Sequence, residues 1–346
     1  MTLMLKEILE ESKILPTLEE VNASTFSGLC EVLRKRKIKN VTLAARGTSD
    51  HAAIYGQYLL SIVCGVTAGL AVPSAISLYG ADIDLSDTLV IAISQSGKAA
   101  DALAVIEAGN RHGAETLAIT NYTDSPLAKA AKWHLFCNAG EEKAVAATKT
   151  FTAQLALTYL LAAHWAKRED MLSAFPSLAE KLNELAKKAE KEIKSIALPY
   201  RYMDNGFVLS RGIGYPIALE TMLKIQETCY ARIKGYSSAD FYHGPIAQIE
   251  RDTPVILYLL KGSAFNDNME MANKLRGLGV EPFIVTDSKE LHAEAPCSYL
   301  IPEADHELAA PIILAEFAQL FAEALCALKG LDPDTPRNLN KVTVTR

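Results

Sequence analysis

Glu220, Lys224 and Glu227 stand at i, i+4 and i+7, and His243 follows directly before Gly244-Pro245. On a helix the first three share one face. Such a row is ordinarily a solvated stripe of ion pairs, and a single loop histidine is ordinarily structural or exposed. The same residue types can also move protons and attack carbonyls. A carboxylate can take and return one proton, an imidazole can act as acid and base near neutral pH, and an amine can attack a carbonyl or steady an enolate.

A second group of residues suits an anion. "RGTSDH" (46–51) and "SQSGKA" (94–99) each follow a short apolar run and precede a helical pattern. A helix start offers unpaired N–H groups and partial positive charge, hydroxyls add neutral donors, and glycine lets the backbone approach closely. Ser96 can also be read as a plain helix cap, with Ser94 and Gln95 finishing the strand. Neither G-x-G-x-x-G nor a Walker loop is present, so a simple phosphoester is expected before a nucleotide. The seven histidines show no H-x-H or H-E-x-x-H spacing, so neither a metal nor another cofactor is expected.

The elements that must carry these residues come twice. "VTLAARGTSDHAA" (41–53) parallels "FVLSRGIGYPIAL" (207–219), and Arg46-Gly47 and Arg211-Gly212 are 165 residues apart. "DTLVIAI" from Asp87 parallels "DTPVILY" from Asp252 at the same offset, and "GAETLAITN" from Gly113 parallels "GVEPFIVTD" from Gly279 at 166. Three matches in one order at nearly one spacing read as a tandem duplication. Continuous apolar runs predict strands at 41–45, 68–72, 88–93, 116–120 and 133–137, then at 206–210, 254–260, 282–286 and 298–301. Helical patterns separate them, so each copy is expected to be an α/β doubly wound parallel sheet. The expected segments are a helical lead 1–35, a first domain 36–166, connecting helices 167–200, a second domain 201–330 and a tail 331–346. In the second copy "LLKGSAF" (259–265) replaces the hydroxyl-rich loop.

Bulk properties narrow the classes. The chain has 346 residues, 49% hydrophobic and 22% charged, with a net charge of −6, which argues against a nucleic-acid partner. The basic run "RKRKIK" (34–39) reads as the C-terminal end of a helix starting near Thr25. The six cysteines form no C-x-x-C pair and suit reduced thiols in the cytoplasm. The acidic, amphipathic start is not a signal peptide, and the longest apolar helical run is taken as 155–165, too short to span a bilayer.

"RGTSDH", "ISQSGKAADAL" and "EKAVAATKTFTAQL" resemble the SIS (sugar isomerase) family, and more narrowly the isomerase half of glucosamine-6-phosphate synthase. The resemblance runs from about residue 25 to the last residues. It implies two flavodoxin-like, three-layer domains. Its matching loops imply phosphate contacts at Thr48, Ser49, Ser94, Gln95 and Ser96, and sugar contacts at Glu142 and Val145. The family pattern has Thr at Ala99, Ser at Ala147 and often Glu at Lys98, so part of the hydroxyl set is missing here. The stretch 218–249 implies that Glu227 shuttles a proton between C1 and C2, with Lys224 assisting, and that His243 opens the sugar ring. The tail "PRNLNKVTV" implies that Lys341 forms a Schiff base with the ketose.

The synthase carries a glutaminase domain before this region, and the SIS part here starts almost at once. The resemblance therefore leads to glucosamine 6-phosphate plus water giving fructose 6-phosphate and ammonia. Two alternatives remain: a deglycase of amino-acid conjugates of sugar phosphates, and a non-catalytic sugar-phosphate-binding regulator. Gluco and galacto substrates stay open. A homodimer is expected, with the ring-opening histidine donated by the partner chain.

Overall fold

Strand β3 (Thr88–Ile93) and strand β4 (Glu115–Thr120) are buried at every residue. Their continuous apolar runs are suited to a sheet covered on both faces. In the computed structural model, residues 1–341 are described, with the side chains of Ala189 and Glu190 set aside. The chain divides into two units. One, here the N-unit, comprises Lys13–Glu142, Lys149–Pro176 and Asn340–Arg346; the other, the C-unit, comprises Met1–Ser12, Lys143–Thr148 and Ser177–Leu339.

The N-unit holds β1 (Asn40–Ala44), β2 (Thr67–Leu70), β3, β4 and β5 (Trp133–Phe136) in the order β2-β1-β3-β4-β5, all parallel. The order reverses between β1 and β3, and ligands of open α/β sheets bind at such a switch point. Ala44 pairs with Ala92, so the loops leaving β1 and β3 emerge side by side. Val90, Ala92, Val105, Ile106, Ala118 and Leu127 form the core beneath them.

The C-unit repeats this plan with β6 (Asn205–Ser210), β7 (Arg232–Ser237), β8 (Val255–Tyr258), β9 (Phe283–Thr286) and β10 (Ser298–Leu300). Its order, β10-β9-β8-β6-β7, is the first sheet's order with β6 standing for β1. Phe207, Leu209, Leu257, Met271, Leu275 and Ile284 pack as its core. Both sheets thus bear out two tandem doubly wound α/β folds.

Three sequence expectations change. Strand β7 was not expected: only Ile233 and Ser237 are buried in it, and Lys234 and Gly235 hide the apolar alternation of an edge strand. The helix before the basic run begins at Leu18, not near Thr25. The longest apolar helical run is also later in the chain than 155–165. Glu307–Leu328 is long and apolar enough to cross a membrane by length and composition, yet 83% of its most apolar window is buried inside the protein. Its helical part, Ala310–Leu328, packs against the helix Tyr215–Cys229 as a core element of the C-unit.

That core helix carries one costly residue. Glu316 is fully buried, and neither carboxyl oxygen has a hydrogen-bond partner among the described residues. Burial, and then the nearby charge of Glu11, push its carboxyl well above the ordinary value.

Candidate active site

In the N-unit the β1 loop turns at Gly47, with φ +59°, into the helix Thr48–Cys64. The β3 loop turns at Gly97, with φ +62°, ahead of the helix Ala100–Arg111. A Cβ at Gly97 would lie 2.2 Å from Ser125 Oγ, so that glycine is required by both conformation and space. The cap positions are Gly47 and Ala99, and neither makes a side-chain cap hydrogen bond. Ser96 is therefore not the helix cap. Its Oγ accepts from Lys98 N at 3.3 Å, and Ser94 Oγ accepts from Gly97 N at 3.2 Å. Each hydroxyl is oriented by a backbone amide and keeps its own proton for an incoming acceptor.

An ion pair ties the two loops. Arg46 Nη2 and Nε donate to Asp101 Oδ2 at 2.8 and 3.1 Å, and Ser77 Oγ donates to Asp101 Oδ1 at 3.1 Å. Ser49 and Ser94 are buried, while Thr48, Gln95 and Ser96 are half-buried. Burial raises the Asp50 carboxyl in the first helical turn, with His51 and then Arg46 opposing the shift.

A cavity of about 270 Å³ opens against this loop, lined by Gln95, Ser96, Lys98, Tyr122, Glu142 and Lys341 among others. Lys341 Nζ donates to Glu142 Oε2 at 2.5 Å. Glu142 also accepts from Thr150 N at 3.1 Å and from Thr150 Oγ1 at 2.9 and 3.0 Å. The tail lysine is thus placed beside the hydroxyl loop. Val145 is half-buried in Lys143–Thr148, which belongs to the C-unit.

In the C-unit the helix Tyr215–Cys229 carries Glu220, Lys224 and Glu227. Lys224 Nζ lies 2.5 Å from Glu227 Oε2 and 3.4 Å from Glu220 Oε1. The side chains of Glu220 and Lys224 are 0% exposed and that of Glu227 is 22% exposed. This face is therefore not a solvated stripe. Burying charges is expensive unless they are paired, and here one cation is held between two carboxylates. Only Glu227 among the three reaches solvent. His243 is exposed on a turn before the 3-10 helix Pro245–Gln248 and makes no hydrogen bond or ion pair with these three among the described residues.

The C-unit loop that corresponds to the N-unit hydroxyl loop is already filled. Ser263 N donates to Glu307 Oε1 at 2.6 Å and Ser263 Oγ to Glu307 Oε2 at 3.3 Å. The chain's own carboxylate accepts from both the amide and the hydroxyl of this loop. The tie between loops persists, as Arg211 pairs with Asp267 at 2.8 Å.

Comparison with known proteins accounts for both copies. The family model described as the SIS domain matches residues 35–164 and 204–328. The chain belongs to the SIS family. Among curated relatives of this family, the glutamine–fructose-6-phosphate aminotransferase (isomerizing) of Thermococcus kodakarensis is 33% identical over 99% of this chain and 58% of its own length. The chain thus spans little more than half of that relative, and what it matches is the isomerase half. Among solved structures, the C-terminal domain of glucosamine-fructose-6-phosphate aminotransferase from Francisella tularensis superposes with a TM-score of 0.83 at 24% identity, covering 96% of this chain and 98% of that one. Glucosamine-6-phosphate deaminase from Thermotoga maritima superposes with a TM-score of 0.73 at 21% identity, covering 99% and 100%. At these identities the two structures establish a shared fold.

Proposed function

We propose that this chain is a sugar-phosphate aldose–ketose isomerase that releases ammonia, converting glucosamine 6-phosphate and water to fructose 6-phosphate and ammonia. The observation that carries this reading is the Glu220–Lys224–Glu227 group, in which a buried lysine leaves one carboxylate oriented and within reach of solvent. A carboxylate fixed in that way suits moving one proton between C2 and C1 of an open-chain sugar.

The remaining roles are those the family resemblance implies. The phosphate goes to the hydroxyl loops, with Ser94 and Ser96 donating and Thr48, Ser49 and Gln95 beside them. His243 protonates the ring oxygen and takes the anomeric proton to open the ring. Its exposure supports donation to a second copy of the chain. Lys341 forms an imine with the ketose carbonyl. Six free cysteines, four of them buried, fit a reducing cytoplasm.

The test is to follow ammonia and fructose 6-phosphate together after adding glucosamine 6-phosphate. Equimolar appearance of both supports a deaminase. Tight binding without turnover would instead favour a deglycase or a regulator. Mixing Glu227→Gln chains with His243→Ala chains tests the shared site: activity should return only on co-assembly.

A further inference from the structure

Glu142 is expected from the family likeness to touch the sugar, yet its carboxylate is committed elsewhere. Its side chain is 0% exposed, the N–H and the hydroxyl of Thr150 both donate to it, and it holds Lys341 at 2.5 Å. Thr150 lies in the first turn of the helix Lys149–Ala166, where a carboxylate is favoured. Lys341 is the more exposed partner, with a side chain 22% exposed in a cavity walled by Gln95, Ser96 and Lys98.

We propose that Glu142 is the positioning residue and proton acceptor for Lys341, an inference that rests on Lys341 forming an imine with a ketose phosphate. An ammonium cannot attack a carbonyl. Glu142 takes one proton from Lys341, and the amine lone pair forms a C–N bond to the ketose carbonyl carbon while the C=O pair moves onto oxygen. One further nitrogen proton moves to that oxygen. The resulting hydroxyl then leaves as water with the proton Glu142 has held, giving a protonated imine. The carboxylate faces a cation at the start and at the end, so the low-dielectric pocket needs no net change of charge.

The experiment incubates the full chain with fructose 6-phosphate and cyanoborohydride from mildly acid to mildly alkaline pH, and measures the reduced adduct on Lys341 by peptide mass. The native chain should label at a rate that varies little with pH. Glu142→Gln should label about 100-fold more slowly near neutrality, with a rate that climbs as hydroxide replaces the missing acceptor. A folded Glu142→Gln chain with the native rate and pH profile would overturn the proposal and leave the imine reading standing. Absence of any Lys341 adduct in the native chain, with fructose 6-phosphate bound, would overturn both, while the ammonia assay would still report independently on the overall reaction. If Glu142→Gln does not fold, Thr150→Val removes one donor to the carboxylate and should slow labelling about fivefold to tenfold near neutral pH. Unchanged labelling in that variant would equally overturn the proposal.

Discussion

Lys224 Nζ sits 2.5 Å from Glu227 Oε2 and, on its other side, 3.4 Å from Glu220 Oε1, with Lys224 and Glu220 shut away from solvent. One lysine thus neutralises a buried carboxylate and aims a second one outward. Removing it should do more than remove a charge. Lys224→Met takes from the buried Glu220 a cation 3.4 Å away and should cost about 3–5 kcal/mol of stability, read as a lower urea midpoint. The double variant Glu220→Gln/Lys224→Met should recover most of that loss, because the buried carboxylate that lost this cation is then a neutral amide.

The hydroxyl loop depends on Gly97. An alanine there would adopt φ near +62° and put its Cβ 2.2 Å from Ser125 Oγ and 2.4 Å from Ser125 Cβ. The backbone term alone costs roughly 1–2 kcal/mol, and the clash must shift the loop away from Ser125. Gly97→Ala should therefore weaken fructose 6-phosphate binding about tenfold or more. Calorimetric titration beside a thermal melt measures both effects. An unchanged dissociation constant would show that this loop does not hold the phosphate.

Glu316 predicts a pH dependence of stability. Its folded titration lies above the ordinary glutamate value of 4.5, because burial and Glu11 favour the neutral acid. The folded state therefore binds a proton that the unfolded state releases. Its contribution is fully present below about pH 4 and is lost as pH rises through the folded titration. The slope is at most about 1.4 kcal/mol per pH unit within that window. Glu316→Gln should match the native chain in acid and exceed it in stability at alkaline pH. Thermal melts across the range decide the matter, and parallel curves at every pH would contradict it.

Much of this was legible in the sequence because it is local or repeated. The offset shared by Arg46-Gly47 and Arg211-Gly212 marked the duplication, and the structure gives both copies one strand order. The positions of Ser94, Ser96 and Gly97 after an apolar run marked the loop. Spacing alone could not tell a solvated row from a buried one, so the enclosure of Glu220 and Lys224 emerged only from packing. The pairing of Lys341 with Glu142 joins residues 199 positions apart, a contact no local pattern encodes. The filling of the second loop by Glu307 is of the same kind. Strand β7 was hidden for a different reason, since an edge strand need not be apolar on both faces.

The central claim is that Glu227 carries the proton between C2 and C1. Glucosamine 6-phosphate deuterated at C2 tests it most directly, with turnover and the fate of the label compared in the native chain and in Glu227→Gln. The native chain should deliver deuterium to C1 of fructose 6-phosphate or exchange it with water during turnover. Glu227→Gln should bind substrate with near-native affinity and lose about 100- to 10,000-fold in turnover, with deuterium retained at C2. Native turnover in Glu227→Gln, with the same transfer of label, would contradict the account.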